Sequence, residues 1–178
     1  MKRLLFIIGL NLVLSFSLYA QVSGYSFYVG TWKYTNTGTK EEFTIRLRDT
    51  TNQASPFFGG EIYECMVGTY TYKKNGVVIL DNMEMFNDKS VKALRMPIFI
   101  TSGQDNGYTD MLLQARDYGT IVRGRPKSSI GDFQLVSSGN PKQIRWIIGE
   151  KEGVRVVGIN DEPPGFSIPT DIILTKVE

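Results

Sequence analysis

Along most of the chain, apolar and polar residues alternate at every second position. Glu41–Asp49, EEFTIRLRD, sets Phe43, Ile45 and Leu47 on one side and Thr44, Arg46 and Arg48 on the other. A period of two describes a strand with one buried face and one wet face. KQIRWIIGE repeats the pattern with Ile144, Trp146 and Ile148, and TDIILTKV sets Ile172 and Leu174 against Ile173 and Val177. Further runs are MPIFITS, DMLLQARD, GTIVRGR, DFQLVSS and GVRVVGIN. GEIYECMVGTYTYKKNGVVILDN reads as a hairpin, because Asn75-Gly76 supplies the positive φ of a tight primed turn. Gly68 predicts a bulge or sharp bend in its first arm. Counted from Tyr25, about nine or ten strands follow at the spacing of an all-β sandwich or barrel. Helix is confined to a turn or two in Asn87–Met96, NDKSVKALRM, capped by Asn87 or Asp88 and stopped by Pro97. DEPPGFSIP is a Pro-rich loop rather than a boundary.

The N-terminus breaks the alternation. Lys2 and Arg3 precede the apolar run LLFIIGLNLVLSFSLYA, which ends in Leu18-Tyr19-Ala20. This is the layout of a secretory signal peptide over residues 1–20, with cleavage between Ala20 and Gln21. The run is also near the length of a membrane anchor. The basic start, the central Gly9 and Asn11 and the terminal Ala favour the removed segment, and no Cys follows that could take a lipid there. Residues 21–178 are then one exported domain, periplasmic or extracellular, with no membrane span after cleavage. The net charge of +2 is that of Lys2 and Arg3 alone. The rest is neutral, so the basic excess that captures nucleic acid is missing.

Neutrality leaves strand edges unprotected, because exposed edges pair with other chains. Closing the sheet removes them, so a single antiparallel barrel of 8–10 strands is expected rather than an open sandwich. A membrane-spanning barrel needs an unbroken apolar outer band, which Arg46, Arg48, Lys73 and Arg116 interrupt. Ile45, Leu47, Ile144, Trp146, Ile148, Ile172 and Leu174 should form the core.

Candidate chemistry is thin. The chain has no His, which removes the commonest general base and metal ligand and every His-containing triad. Zinc would have to rest on carboxylates and the one Cys. Cys65 has no partner for an internal disulfide and reads as a small buried hydrophobe. Glu41-Glu42 and Asp161-Glu162 are neighbours, and neighbours on a strand face opposite ways, so neither forms an acid–base pair by adjacency. RGRPK, Arg123–Lys127, is a basic cluster suited to an anion but read as a solvated turn. DNMEMFND holds Asp81, Glu84 and Asp88 without the ordered spacing of a calcium loop, and Met83 and Met85 should pack beneath it. No catalytic, cofactor-binding or metal-ligating residue is assigned, and the protein is not expected to be an enzyme. Tyr25, Phe27, Tyr28, Trp32 and Tyr34 crowd one short segment and suit a strand covered on both sides at a barrel's closed end.

Tyr28–Tyr34, YVGTWKY, resembles the first strand of the calycin (lipocalin and fatty-acid-binding) barrels, in which a Gly-x-Trp step places an indole across one end. A wider resemblance runs through the apolar leader, GTWKY, EEFTIRL, IRWII and EPPGFSIPTDIILTKV. It is similar to small exported Bacteroidetes proteins grouped as domain-of-unknown-function family 6705, with Phe166–Lys176 the most specific part. The resemblance implies a secreted or envelope location and no activity. Two functions are therefore in view. One is a non-catalytic binder of a small apolar ligand, which requires an empty pocket of about 300 Å3 or more. The other is a structural or protein-interaction module with a filled core and an exposed apolar patch or edge. An enzyme would need carboxylates, or a Lys or Tyr beside a carboxylate, converging in a cleft without His.

Overall fold

The computed structural model describes residues 24–53, 62–88, 90–103, 107–122, 124–149 and 165–177. The expected leader, the expected strand at 153–160 and the Asp161-Glu162 pair lie outside these residues. Nine strands make one antiparallel sheet: β1 Gly30–Asn36, β2 Glu41–Gln53, β3 Ile62–Lys74, β4 Val77–Asp81, β5 Ile98–Gly103, β6 Gly107–Val122, β7 Arg125–Ser137, β8 Gln143–Gly149 and β9 Asp171–Lys176. β1 lies between β2 and β9, and β2 pairs with β3. From β3 the order runs through β5, β6, β7 and β8 back to β9, so eight strands close into a barrel and β4 hangs from β3. The expected antiparallel barrel is therefore present.

Alternation sorts the wall as the sequence implies. Trp32, Phe43, Ile45, Ile144, Trp146 and Leu174 are fully buried in one cluster, with Leu47, Ile148 and Ile172 beside them. Arg46, Arg48, Lys73 and Arg116 keep contact with solvent. The Asn75-Gly76 turn has φ of 53° and 77°, both positive as a type I′ turn demands. Gly68 marks no bulge against β2, because Leu47↔Gly68 falls within an unbroken register. Its missing side chain serves close approach instead: a Cβ there would lie 2.5 Å from the Arg46 carbonyl oxygen. DMLLQARD and the first four residues of GTIVRGR are one strand, β6, with a register shift between Asp117 and Ile121.

Helical structure among the described residues is three 3-10 turns, Tyr25–Phe27, Met83–Asn87 and Ala93–Arg95. Thus Tyr25 and Phe27 precede the first strand rather than belonging to it, while one turn forms within the expected Asn87–Met96, at Ala93–Arg95 with Lys92 rather than Asn87 or Asp88 before it, and another precedes that segment at Met83–Asn87. The physical reason is the wall beneath. Residues 82–88 and 90–97 lie as a strap over the outside of the barrel, where Met96, Val91 and Ala93 cover Cys65, Val67 and Phe99. The Thr69 hydroxyl donates to the Met83 sulfur at 3.2 Å, the Arg46 guanidinium sits 4.5 Å from the Phe86 ring centre, and Arg116 Nη2 donates to the Leu94 carbonyl at 2.5 Å. Burial under the strap pushes the Cys65 thiol up to about 11, partly offset by Arg48, so it stays neutral and inert.

One residue bridges the gap between β4 and β5 along the edge of β3. The Asn82 N–H donates to the Tyr70 carbonyl at 3.2 Å, and its side-chain oxygen accepts from the Tyr70 N–H at 2.7 Å. Asn82 thereby stands in for a missing strand residue and satisfies both backbone groups of Tyr70.

Candidate functional site

The chemistry-bearing residues gather at the end of the barrel formed by the β6–β7 hairpin and the start of β9. Asp117 follows Met111, Leu113 and Ala115 in phase on β6, so its side chain points inward and is fully buried. Lys127 is its Cα partner on β7 and is only 2% exposed, so the two stand side by side. This corrects the reading of RGRPK as a solvated turn. Only the tip turns, at Gly124 with φ of 72°, while Arg125–Lys127 already belong to β7. Lys127 is in phase with Ser129, Gly131, Phe133 and Leu135, and that alternation takes it inside.

Both residues hold the segment 165–170 across this end. Asp117 accepts from the Ser167 N–H at 2.6 Å and from the Ser167 hydroxyl. It also accepts from the Gly119 N–H at 2.9 Å and the Thr120 hydroxyl at 2.8 Å. Gly119 is required sterically, because a Cβ there would lie 2.1 Å from the Ser167 oxygen. Lys127 Nζ donates to the Gly165 carbonyl at 3.0 Å and lies 4.7 Å from the Phe166 ring centre. The Trp146 indole N–H donates to the Pro169 carbonyl at 3.0 Å, the Ile148 N–H to the Thr170 carbonyl at 2.8 Å, and Ile168 is buried. Tyr70 closes the seam above β5: its hydroxyl donates to the Arg116 carbonyl at 2.8 Å and accepts from the Tyr118 N–H at 3.1 Å. Burial raises the phenol well above its ordinary range, so it is a permanent donor.

A carboxylate offers about four lone-pair sites, and Asp117 has four donors on them. All of these sites are engaged within the protein. The arrangement is an anchor rather than an acid–base pair.

The opposite end is sealed by the 3-10 turn Tyr25–Phe27 and by Tyr28. The Trp32 indole N–H donates to the Tyr28 carbonyl at 2.7 Å, and Lys176 Nζ donates to the Phe27 carbonyl at 2.8 Å. Tyr28 packs on Trp32 and Phe133, and Tyr25 meets Tyr108 edge-on at 5.0 Å. The Tyr28 hydroxyl donates to the Tyr108 carbonyl, and burial pushes this phenol up to about 12. The early indole lies near a closed end, as expected.

Between the covers, among the described residues, lies one cluster of buried side chains. Trp32, Phe43, Ile45, Met66, Tyr70, Ile98, Leu113, Phe133, Ile144, Trp146 and Leu174, drawn from all eight closing strands, each expose 0% of their surface. Phe43 bridges the interior, 5.6 Å from Tyr70 and 5.4 Å from Trp146 between ring centres.

The adjacent carboxylates Glu41 and Glu42 face opposite ways. Glu41 accepts from the Thr39 and Tyr72 hydroxyls and meets Lys74, while Glu42 meets Lys33 and Lys73. Among the described residues no group of three or more acidic or thiol side chains is placed to hold a metal. Asp117, Ser167 and Tyr70 escaped the sequence reading, which puts Lys127 in a solvated turn, although the phase of Asp117 and Lys127 within β6 and β7 carried the signal.

No helix among the described residues is long and apolar enough to cross a membrane. No curated protein and no solved structure matches the chain. The profile of the Family of unknown function (DUF6705) matches residues 1–177, and the chain belongs to that family.

Proposed function

We propose that this barrel is a non-catalytic structural or protein-interaction module of the cell envelope, exported by its leader, and that it works through its outer surface. The observation that carries the reading is the packing. A carrier of a small apolar ligand needs roughly 300 Å3 of space. Buried side chains from all eight closing strands crowd the interior, and a covering segment lies at each end, which supports a core without room for such a ligand. Saturation of Asp117 likewise supports the absence of catalysis at the most polar part of the interior.

Native mass spectrometry of the protein purified from its own host tests this. The mass of the polypeptide alone, from Gln21 onward, is expected. A retained small molecule would return the protein to the ligand carriers.

A further inference from the structure

β4 differs from every other strand. Among the described residues it is paired on one side only, through Thr71–Lys74 of β3. Its first residues are apolar and exposed, Val77 by 61%, Val78 by 49% and Ile79 by 49%. Edges of natural sheets are ordinarily blunted by charge, proline or a covering segment. β4 has a register shift opposite Tyr72 and Lys73, but no charge before Asp81. Its inner side chain, Leu80, is spent on the barrel, lying 3.1 Å from where a Gly119 Cβ would be.

We infer that β4 is where two copies of this chain associate, the two β4 strands pairing antiparallel about a two-fold axis near Ile79. This rests on the interaction reading above and names the partner. The charges at the ends of β4 favour a second copy in that orientation. Lys73 and Lys74 flank the hairpin tip where β4 begins, and Asp81 ends it, exposed, with one carboxylate oxygen accepting from the Thr71 hydroxyl at 3.1 Å and the Met83 N–H at 3.0 Å. The lysines meet Glu42 and Glu41 yet keep 41% and 52% of their side chains exposed. Antiparallel pairing brings each Asp81 toward the partner's lysine-bearing tip, whereas parallel pairing sets like charges together. A two-fold contact is self-complementary in this manner. Three exposed side chains and one short ladder cover far less than the roughly 800 Å2 per partner of a stable interface, so the dimer is weak and concentration-dependent.

Sedimentation velocity over about 1–300 μM, on protein purified from its host, reads the equilibrium. The expected result is a sedimentation coefficient that rises with concentration and a dimer weakened at least about tenfold by Ile79→Lys, with near-UV circular dichroism unchanged. Asp81→Lys and Lys74→Glu should each weaken self-association, and an equimolar mixture of the two should restore it as a mixed dimer. A chain that stays monomeric throughout overturns the inference, as does a dimer indifferent to Ile79→Lys. Neither result depends on retained mass, so this inference and the proposed function fail separately.

Discussion

Both ends use an ammonium on a backbone carbonyl, Lys176 on Phe27 and Lys127 on Gly165, but the Tyr25–Tyr28 cover otherwise meets the barrel through rings and phenol hydroxyls, whereas the 165–170 cover is held by a buried carboxylate. Each end also uses one tryptophan in the same way, its indole N–H reaching a carbonyl of the covering segment. The difference lies in what else secures the cover. Ring packing is non-directional and tolerates small shifts. A carboxylate with four donors fixes the Ser167 backbone to β6 in one geometry, and it fails sharply if one partner is lost. The aromatic end should therefore behave as part of the core, and the polar end as a separately secured lid.

The largest test is Trp32→Ala. It empties the aromatic half and frees Tyr28, and should cost about 3–5 kcal/mol by urea titration. A cost below about 1 kcal/mol would show that the aromatic end is not part of the core. Asp117→Ala comes next, leaving four donors and the adjacent ammonium of Lys127 without the carboxylate. A loss of about 2–4 kcal/mol is expected. Amide exchange should accelerate at Gly119 and Ser167 while the Trp32 indole N–H stays protected, and equal acceleration at both ends would erase the distinction. Tyr70→Phe should cost about 1–2 kcal/mol, because the Arg116 carbonyl and Tyr118 N–H lose their bridge.

The smallest effect is that of pH. Hydrogen bonds from Thr39, Tyr72 and Lys74 hold Glu41 below the ordinary carboxylate range, and Lys33 does so for Glu42. Their folded pKa values are depressed, so the stability they add is present above the unfolded carboxylate pKa and is lost as pH falls through the folded one. Both lie at the surface, partly exposed, and solvent screening keeps the loss small. Acid titration followed by NMR should disturb the Glu41–Tyr72 rim, on the lid side, before the Tyr28–Trp32 side.

Much of this was readable in the chain. Strict alternation located the strands and the inward residues, and Asn75-Gly76 fixed a turn. Neutrality and the missing disulfide argued for a closed sheet. Patterns of one residue type at fixed spacing carry that much. What escaped is set by tertiary contact. Tyr25–Phe27 forms a 3-10 turn because it crosses the barrel end, and residues 82–88 and 90–97 follow the wall under them rather than their own helix propensity. Lys127 looked like surface because a basic residue is ordinarily outside. Its phase with Phe133 said otherwise, and the Gly165 carbonyl and the Phe166 ring help to make an inward ammonium tolerable.

The ring is completed by β9, which fits between β8 and β1. A polypeptide made amino end first thus carries two unmated margins, those of β1 and β8, through the synthesis of every earlier stave. Product interrupted before Asp171 is left with sticky flanks that neighbouring chains can zip onto. Premature termination or clipping in this region would produce a clumping species rather than a slightly weakened one, and quality control has a plain cue by which to remove it.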